Sequence, residues 1–111
     1  MQTLTLYADG CLTILLKGEL DHCAAQDAMQ SIEELVEEYL PRRCVLDLSG
    51  LTFMDSSGIA VILKADRLLR QSGASLALER PPQQVRKVLE VAGLTQVIPL
   101  CGETEEECEP C

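Results

Sequence analysis

Aromatic residues are nearly missing from this chain of 111 residues, which holds one Phe, two Tyr and no Trp. A nucleic-acid surface built on stacked rings is therefore not expected. Basic residues are also scarce, with 9 Lys and Arg against 18 Asp and Glu and a formal net charge of −9. Such a surface repels a phosphate backbone, which argues against direct nucleic-acid binding. It favours solubility and a basic protein partner. No apolar run approaches the roughly 18 residues that a membrane-spanning helix needs. The start, Met1-Gln2-Thr3-Leu4, lacks a basic stretch followed by an apolar one, so no secretory signal is predicted and the expected location is the cytoplasm. Neither Gly-x-Gly-x-x-Gly nor Gly-x-x-x-x-Gly-Lys-Ser/Thr occurs, so no bound nucleotide and no cofactor are expected.

What remains is aliphatic. The chain is 47% hydrophobic and 24% charged, the profile of one compact globular domain. Six cysteines are present. Cys11, Cys23 and Cys44 fall inside apolar patterns and read as buried thiols. Cys101, Cys108 and Cys111 lie near the C-terminus. Cys108-Glu109-Pro110-Cys111 has the spacing of a metal or redox half-site, but a structural zinc wants four ligands and the single histidine, His22, is far away in sequence. No metal site is predicted.

Residues 3–7 and 11–18 alternate as strands, joined by Asp9-Gly10, a strong hairpin signal. Leu12, Ile14 and Leu16 give the second strand an apolar face. Gly18-Glu19-Leu20-Asp21 reads as the break after it, with Asp21 as N-cap of a helix. In that helix Ala25, Met29, Ile32, Val36 and Tyr39 recur at three- and four-residue spacings, with Ala28, Leu35 and Leu40 beside them. Pro41 ends it. Residues 44–48 form a continuous apolar run, the mark of a central strand. Ser49-Gly50 reads as a turn. A second helix is predicted from about Ser57 to Gln71, and its opening, Ile59-Ala60-Val61-Ile62-Leu63, is apolar all round, so it is expected to be enclosed. Residues 75–79 form a strand. Pro81-Pro82 opens a third helix that carries Val85, Val88, Leu89 and Ala92 on one side and closes at Gly93 and Leu94. Residues 96–100 form a last strand. The order ββαβαβαβ predicts an α/β fold, with a mixed sheet of about four to five strands and helices packed on it. The tail over 102–111 is acidic and reads as a frayed end or a short C-terminal helix.

Asp55-Ser56-Ser57-Gly58 joins the central strand to the second helix. Ligands and partners bind at such corners in open α/β sheets. A phosphate on Ser56 would bring about −1.5 to −2 charges to a helix N-terminus, which favours anions, while Asp55 would oppose it. The same residues also serve as plain capping chemistry, and on this ground alone the two readings are even. Catalysis is not expected. No Gly-x-Ser-x-Gly elbow exists, and Asp21 is badly placed to orient its sequence neighbour His22 toward Ser56.

Two segments carry a resemblance. Gly18-Glu19-Leu20-Asp21-His22 and, some thirty residues on, Leu51-Thr52-Phe53-Met54-Asp55-Ser56-Ser57-Gly58-Ile59 resemble the STAS domain of anti-sigma-factor antagonists. The likeness spans about residues 3–100 and includes Ala92-Gly93-Leu94. It implies a single STAS domain over 1–101 followed by the tail over 102–111. It also implies a partner switch. The unphosphorylated protein binds an anti-sigma factor that is also a serine kinase, and so frees a sigma factor. Phosphorylation of the first serine after the Asp, here Ser56, stops binding, and a serine phosphatase reverses it. The family's partner surface maps onto Glu19, Asp21 and His22 before the first helix, and onto Ser57, Gly58 and Ile59 at the start of the second. Asp55 adds to the acidic charge that would meet the kinase. Two departures stand out. Cys23-Ala24-Ala25 follows His22, and the family's C-terminal helix is shortened to the Glu-rich tail. The rival readings are a STAS-fold scaffolding or accessory subunit of a stress-signalling or transport system without a serine switch, and a thiol or metal protein acting through Cys101, Cys108 and Cys111.

Overall fold

The computed structural model describes residues 1–101. The elements are β1 (Gln2–Ala8), β2 (Cys11–Leu20), α1 (His22–Tyr39), β3 (Arg43–Met54), α2 (Ser56–Gln71), β4 (Ser75–Glu79), α3 (Gln83–Val91) and β5 (Leu100–Cys101), with one 3-10 turn, Leu94–Gln96, before β5. The sheet runs in sequence order from β1 to β5. β1 and β2 are antiparallel, and each later neighbour is parallel. The expected tail, with Cys108 and Cys111, lies outside the described residues.

The β1–β2 hairpin turns at Asp9 and Gly10, both at positive φ (54° and 79°). That pair of conformations matches the twist of the flanking strands. Arg42, which follows α1, closes over the turn: its backbone N–H donates to the Gly10 carbonyl at 2.9 Å and its guanidinium to the Asp9 carbonyl at 3.0 Å. The alternation in β2 is realised as expected, with Leu12, Ile14 and Leu16 fully buried under the helices. α1 sits on them through Ala28, Ile32 and Val36. Leu40 departs from its expected place. It takes the left-handed C-cap conformation (φ 46°) and is 73% exposed, because the chain must leave the helix before Pro41.

The central strand differs most from expectation. Residues 44–48 are buried between β2 and β4. However, Ser49-Gly50 makes no turn, and β3 runs on to Met54. Gly50 is needed for closeness: a Cβ there would lie 2.8 Å from the Leu16 carbonyl oxygen and 2.8 Å from the Lys17 side chain. β2 is longer than expected for a related reason. Gly18, at φ 110°, does not break the strand but continues it through register shifts between Leu15/Lys17 and Gly18/Glu19. The bulged strand then pairs Glu19 with Phe53 and Leu20 with Met54. A segment read as a break and one read as a turn are thus parts of one extended parallel ladder.

Helices α1, α2 and α3 contribute to a single core cluster on one side of the sheet. The last strand is shorter and later than expected, since residues 94–96 take the 3-10 turn instead. Gly93 is left-handed (φ 78°) and Leu94 is buried, as the helix-ending signal predicts.

Candidate functional site: the adjoining ends of two parallel strands

Because β2 and β3 stay paired to their last residues, both sequence motifs end at the same edge of the sheet. The Asp55 N–H donates to the Leu20 carbonyl at 3.4 Å, which ties the two corners together. Each corner then starts a helix in the same way. Asp21 has extended backbone, and its carboxylate accepts from the Ala24 N–H at 3.0 Å. Asp55 likewise accepts from the Ser57 N–H at 2.9 Å. Both caps satisfy donors that the first helical turn leaves free. The result is two helix N-termini side by side.

Ser56 is the first residue of α2, one position earlier than the sequence pattern suggests, and it is exposed. Ser57 is half-buried and Gly58 is buried. Gly58 has no need of an unusual backbone, so it is not there to ease the turn. A Cβ at this position would fall 2.3 Å from Met54 Cγ, 2.8 Å from its Sδ and 3.1 Å from a Leu20 methyl carbon. The glycine lets α2 settle directly on the ends of β2 and β3.

The expected site residues divide between two flanks of α2. His22 and Ser57 line a groove of about 760 Å³ between α1 and α2, together with Met29, Gln30, Ala60 and Lys64. Ser56 and Ile59 line a smaller pocket of about 290 Å³ against α3. Glu19 is exposed and Asp21 half-buried at the corner, in the lining of neither hollow. The only histidine shares its groove with Ser57 and not with Ser56, so no Ser56–His22 couple is assembled.

The opening of α2 is not enclosed as expected. Val61 and Ile62 are buried, but Ala60 is exposed, Leu63 is 41% exposed and Ile59 is half-buried. Phe53, the chain's one phenylalanine, is 39% exposed on the adjoining strand end. An apolar helix face left open beside two polar corners is suited to a protein partner.

Two contributors carry no mark in the sequence. Gln84 of α3 accepts from the Met54 N–H and donates to the Met54 carbonyl, each at 3.0 Å. This side-chain amide completes the hydrogen bonding of the strand end two residues before Ser56. Asp47 lies buried in mid-β3. Burial alone would raise its pKa, but the Ser49 N–H and the Arg80 guanidinium outweigh it and hold the carboxyl below the usual 3.8. Asp47 is structural and sits away from the corners. Of the thiols expected to be buried, Cys44 is: burial, with Cys11 nearby, pushes its pKa up to about 12, so it remains a neutral core group. Cys11 is half-buried, and Cys23 is exposed on the first turn of α1, in the lining of the α1–α2 groove.

Similarity to known proteins agrees with this geometry. The STAS domain model matches residues 5–108. An anti-sigma F factor antagonist of Paenibacillus polymyxa is 34% identical over 91 residues, covering 82% of this chain and 78% of that one. The solved structure of the anti-sigma factor antagonist SpoIIAA in its unphosphorylated form superposes with a TM-score of 0.78 at 29% identity, covering 96% of this chain and 91% of that one. The phosphorylated form of Bacillus SpoIIAA gives 0.70 at 28% identity, covering 96% and 95%. These relatives are regulatory binding proteins rather than enzymes. The element order, the sheet and the paired corners all fall within the matched span, and the chain belongs to the STAS-domain family.

Proposed function

We propose that this protein is an anti-sigma factor antagonist controlled by phosphorylation of Ser56. In the unphosphorylated state it docks on an anti-sigma factor that is also a serine kinase, and the sigma factor is released. The kinase then phosphorylates Ser56 and docking is lost, until a serine phosphatase restores the hydroxyl. These events belong to the cytoplasm. The docking surface consists of Glu19, Asp21 and His22 at the first corner and Asp55, Ser57, Gly58 and Ile59 at the second.

The observation that carries the reading is the position of Ser56. It is exposed at the first position of a helix, between an α1–α2 groove and an α2–α3 pocket, with an apolar face open beside it. A kinase can reach the hydroxyl without disturbing the core. The helix end tolerates the added charge by about 0.3–1 kcal/mol, so the fold survives while the surface changes. Similarity to both the unphosphorylated and the phosphorylated forms of SpoIIAA supports a fold that accommodates the two states.

The test is incubation with the cognate kinase and ATP, followed by peptide mass spectrometry, and a binding assay with Ser56→Asp. Stoichiometric phosphate on Ser56 is expected, with kinase binding by Ser56→Asp weakened at least about tenfold, or roughly 1.4 kcal/mol. Modification at Ser57 alone, or undiminished binding by a folded Ser56→Asp, would contradict the proposal.

A further inference from the structure

Ser56 and Ser57 are sequence neighbours on opposite flanks of α2. Ser56 opens into the pocket whose other walls are Ile59 of α2 and Lys87, Val88, Val91 and Ala92 of α3. Lys87 is the one charged residue in that lining. Among the described residues it has no hydrogen-bond or ion-pair partner. The carboxylate nearest along its helix, Glu90, is taken by Arg86 at 3.2 Å. α3 is also held in place. Gln84, three residues before Lys87 and on the same face, is hydrogen-bonded to both peptide groups of Met54. Val88 packs against the core. The strand end that leads into Ser56 therefore fixes the helix that carries Lys87.

We propose that Lys87 is the counter-cation for a phosphate on Ser56, and that this pairing lays the lysine stem over Ile59 and Val91 and closes the pocket. The inference deepens the serine switch and rests on Ser56 as the phosphorylated residue. The charges around the site favour it. Asp55 repels a phosphate from the neighbouring position, and the α2 N-terminus offers only partial positive charge. Lys64 and His22 line the groove on the Ser57 side. Lys87 is the full positive charge on the Ser56 side. A phosphate–ammonium contact is a charge-assisted hydrogen bond. The four-carbon stem of lysine covers apolar surface readily, and Val91, 81% exposed, offers that surface. The two states then differ in shape as well as charge: the pocket is open with a serine hydroxyl and capped with a phosphoserine.

Genetic incorporation of phosphoserine at position 56 allows the test without any kinase. Phosphorus NMR titration reads the second pKa of that phosphate. Lys87→Gln is expected to raise it by about 0.2–0.7 relative to the otherwise wild-type phosphoprotein, the range that an exposed ion pair gives. Lys87→Arg should keep the low value. Arg67→Gln, which removes the same charge from an exposed position of α2 outside both hollows, should leave it unchanged. Equal values for wild type and a folded Lys87→Gln would overturn the pairing, as would an equal rise in Arg67→Gln. A kinase that ignores Ser56 would instead defeat the switch reading, a separate result from this titration.

Discussion

Gly58 shows how a single residue sets the site. Its value lies in a missing side chain, since α2 rests on Met54 and Leu20 at a distance that a methyl group would violate. Gly58→Ala is expected to cost about 1–3 kcal/mol, because the contacts belong to fully buried side chains in a close-packed core. Helix propensity works the other way by up to about 1 kcal/mol, since alanine is the better helix former. The net effect is destabilisation, measurable as a lower urea midpoint with an unchanged slope. An unchanged or higher midpoint would mean that Met54 yields freely and that the glycine is present for docking alone. The neighbouring residues divide the remaining tasks. Asp55 caps the helix, Ser57 supplies the capped N–H, and Ser56 is left exposed with its hydroxyl free for modification.

At the scale of elements, the site is the end of a long β2–β3 ladder clamped by α3. Gln84 acts through Met54 as a positioning residue. Gln84→Ala leaves one N–H and one carbonyl of Met54 without that partner, at about 1–3 kcal/mol in total for part-buried groups. On the proposed switch, the expected phenotype is reduced kinase affinity and slower phosphorylation of Ser56, without rescue by Gln84→Asn, whose amide is one methylene too short to reach Met54. Calorimetric unfolding and a phosphorylation time course measure the two effects, and a variant with lowered stability but wild-type phosphorylation would restrict the clamp to stability. Much of the element plan was legible from local pattern. The Asp9-Gly10 hairpin, the β2 alternation, the α1 stripe and the Asp21 cap all depend on residues close in sequence. The failures involve distant partners. Gly50 reads locally as a turn because its real constraint, the backbone of Leu16, is distant in sequence, and Gly18 reads as a break because its bulge has meaning only against β3. The Gln84 clamp spans 30 residues and follows no periodicity. The apolar opening of α2 signals enclosure, whereas its outer side, at Ala60 and Leu63, is exposed.

For the molecule as a whole, charge and switching act at different ranges. A net charge of −9 surrounds a site whose corners carry Glu19, Asp21 and Asp55. The proposed phosphorylation of Ser56 would add only about −1.5 to −2 to that total. Toward a basic kinase surface, this addition strengthens long-range attraction, so net charge cannot be what ends binding. Under the proposed switch, the loss arises at contact, where a dianion would occupy the Ser56 pocket and one partner group there would lose its fit. The kinetics of association separate these ranges. The association rate constant of the unphosphorylated protein is expected to fall about tenfold between roughly 0.05 and 0.5 M salt, as screening shortens the reach of the acidic surface. The dissociation rate should change little with salt, since it reflects the packed contact. With phosphoserine at position 56, the early, salt-dependent steering should persist while dissociation accelerates. Stopped-flow measurement across that salt range distinguishes the cases. An association rate indifferent to salt would remove the acidic surface from the recognition step. A phosphoprotein that associates much more slowly yet dissociates at the wild-type rate would place the switch at long range, contrary to the geometry of the pocket.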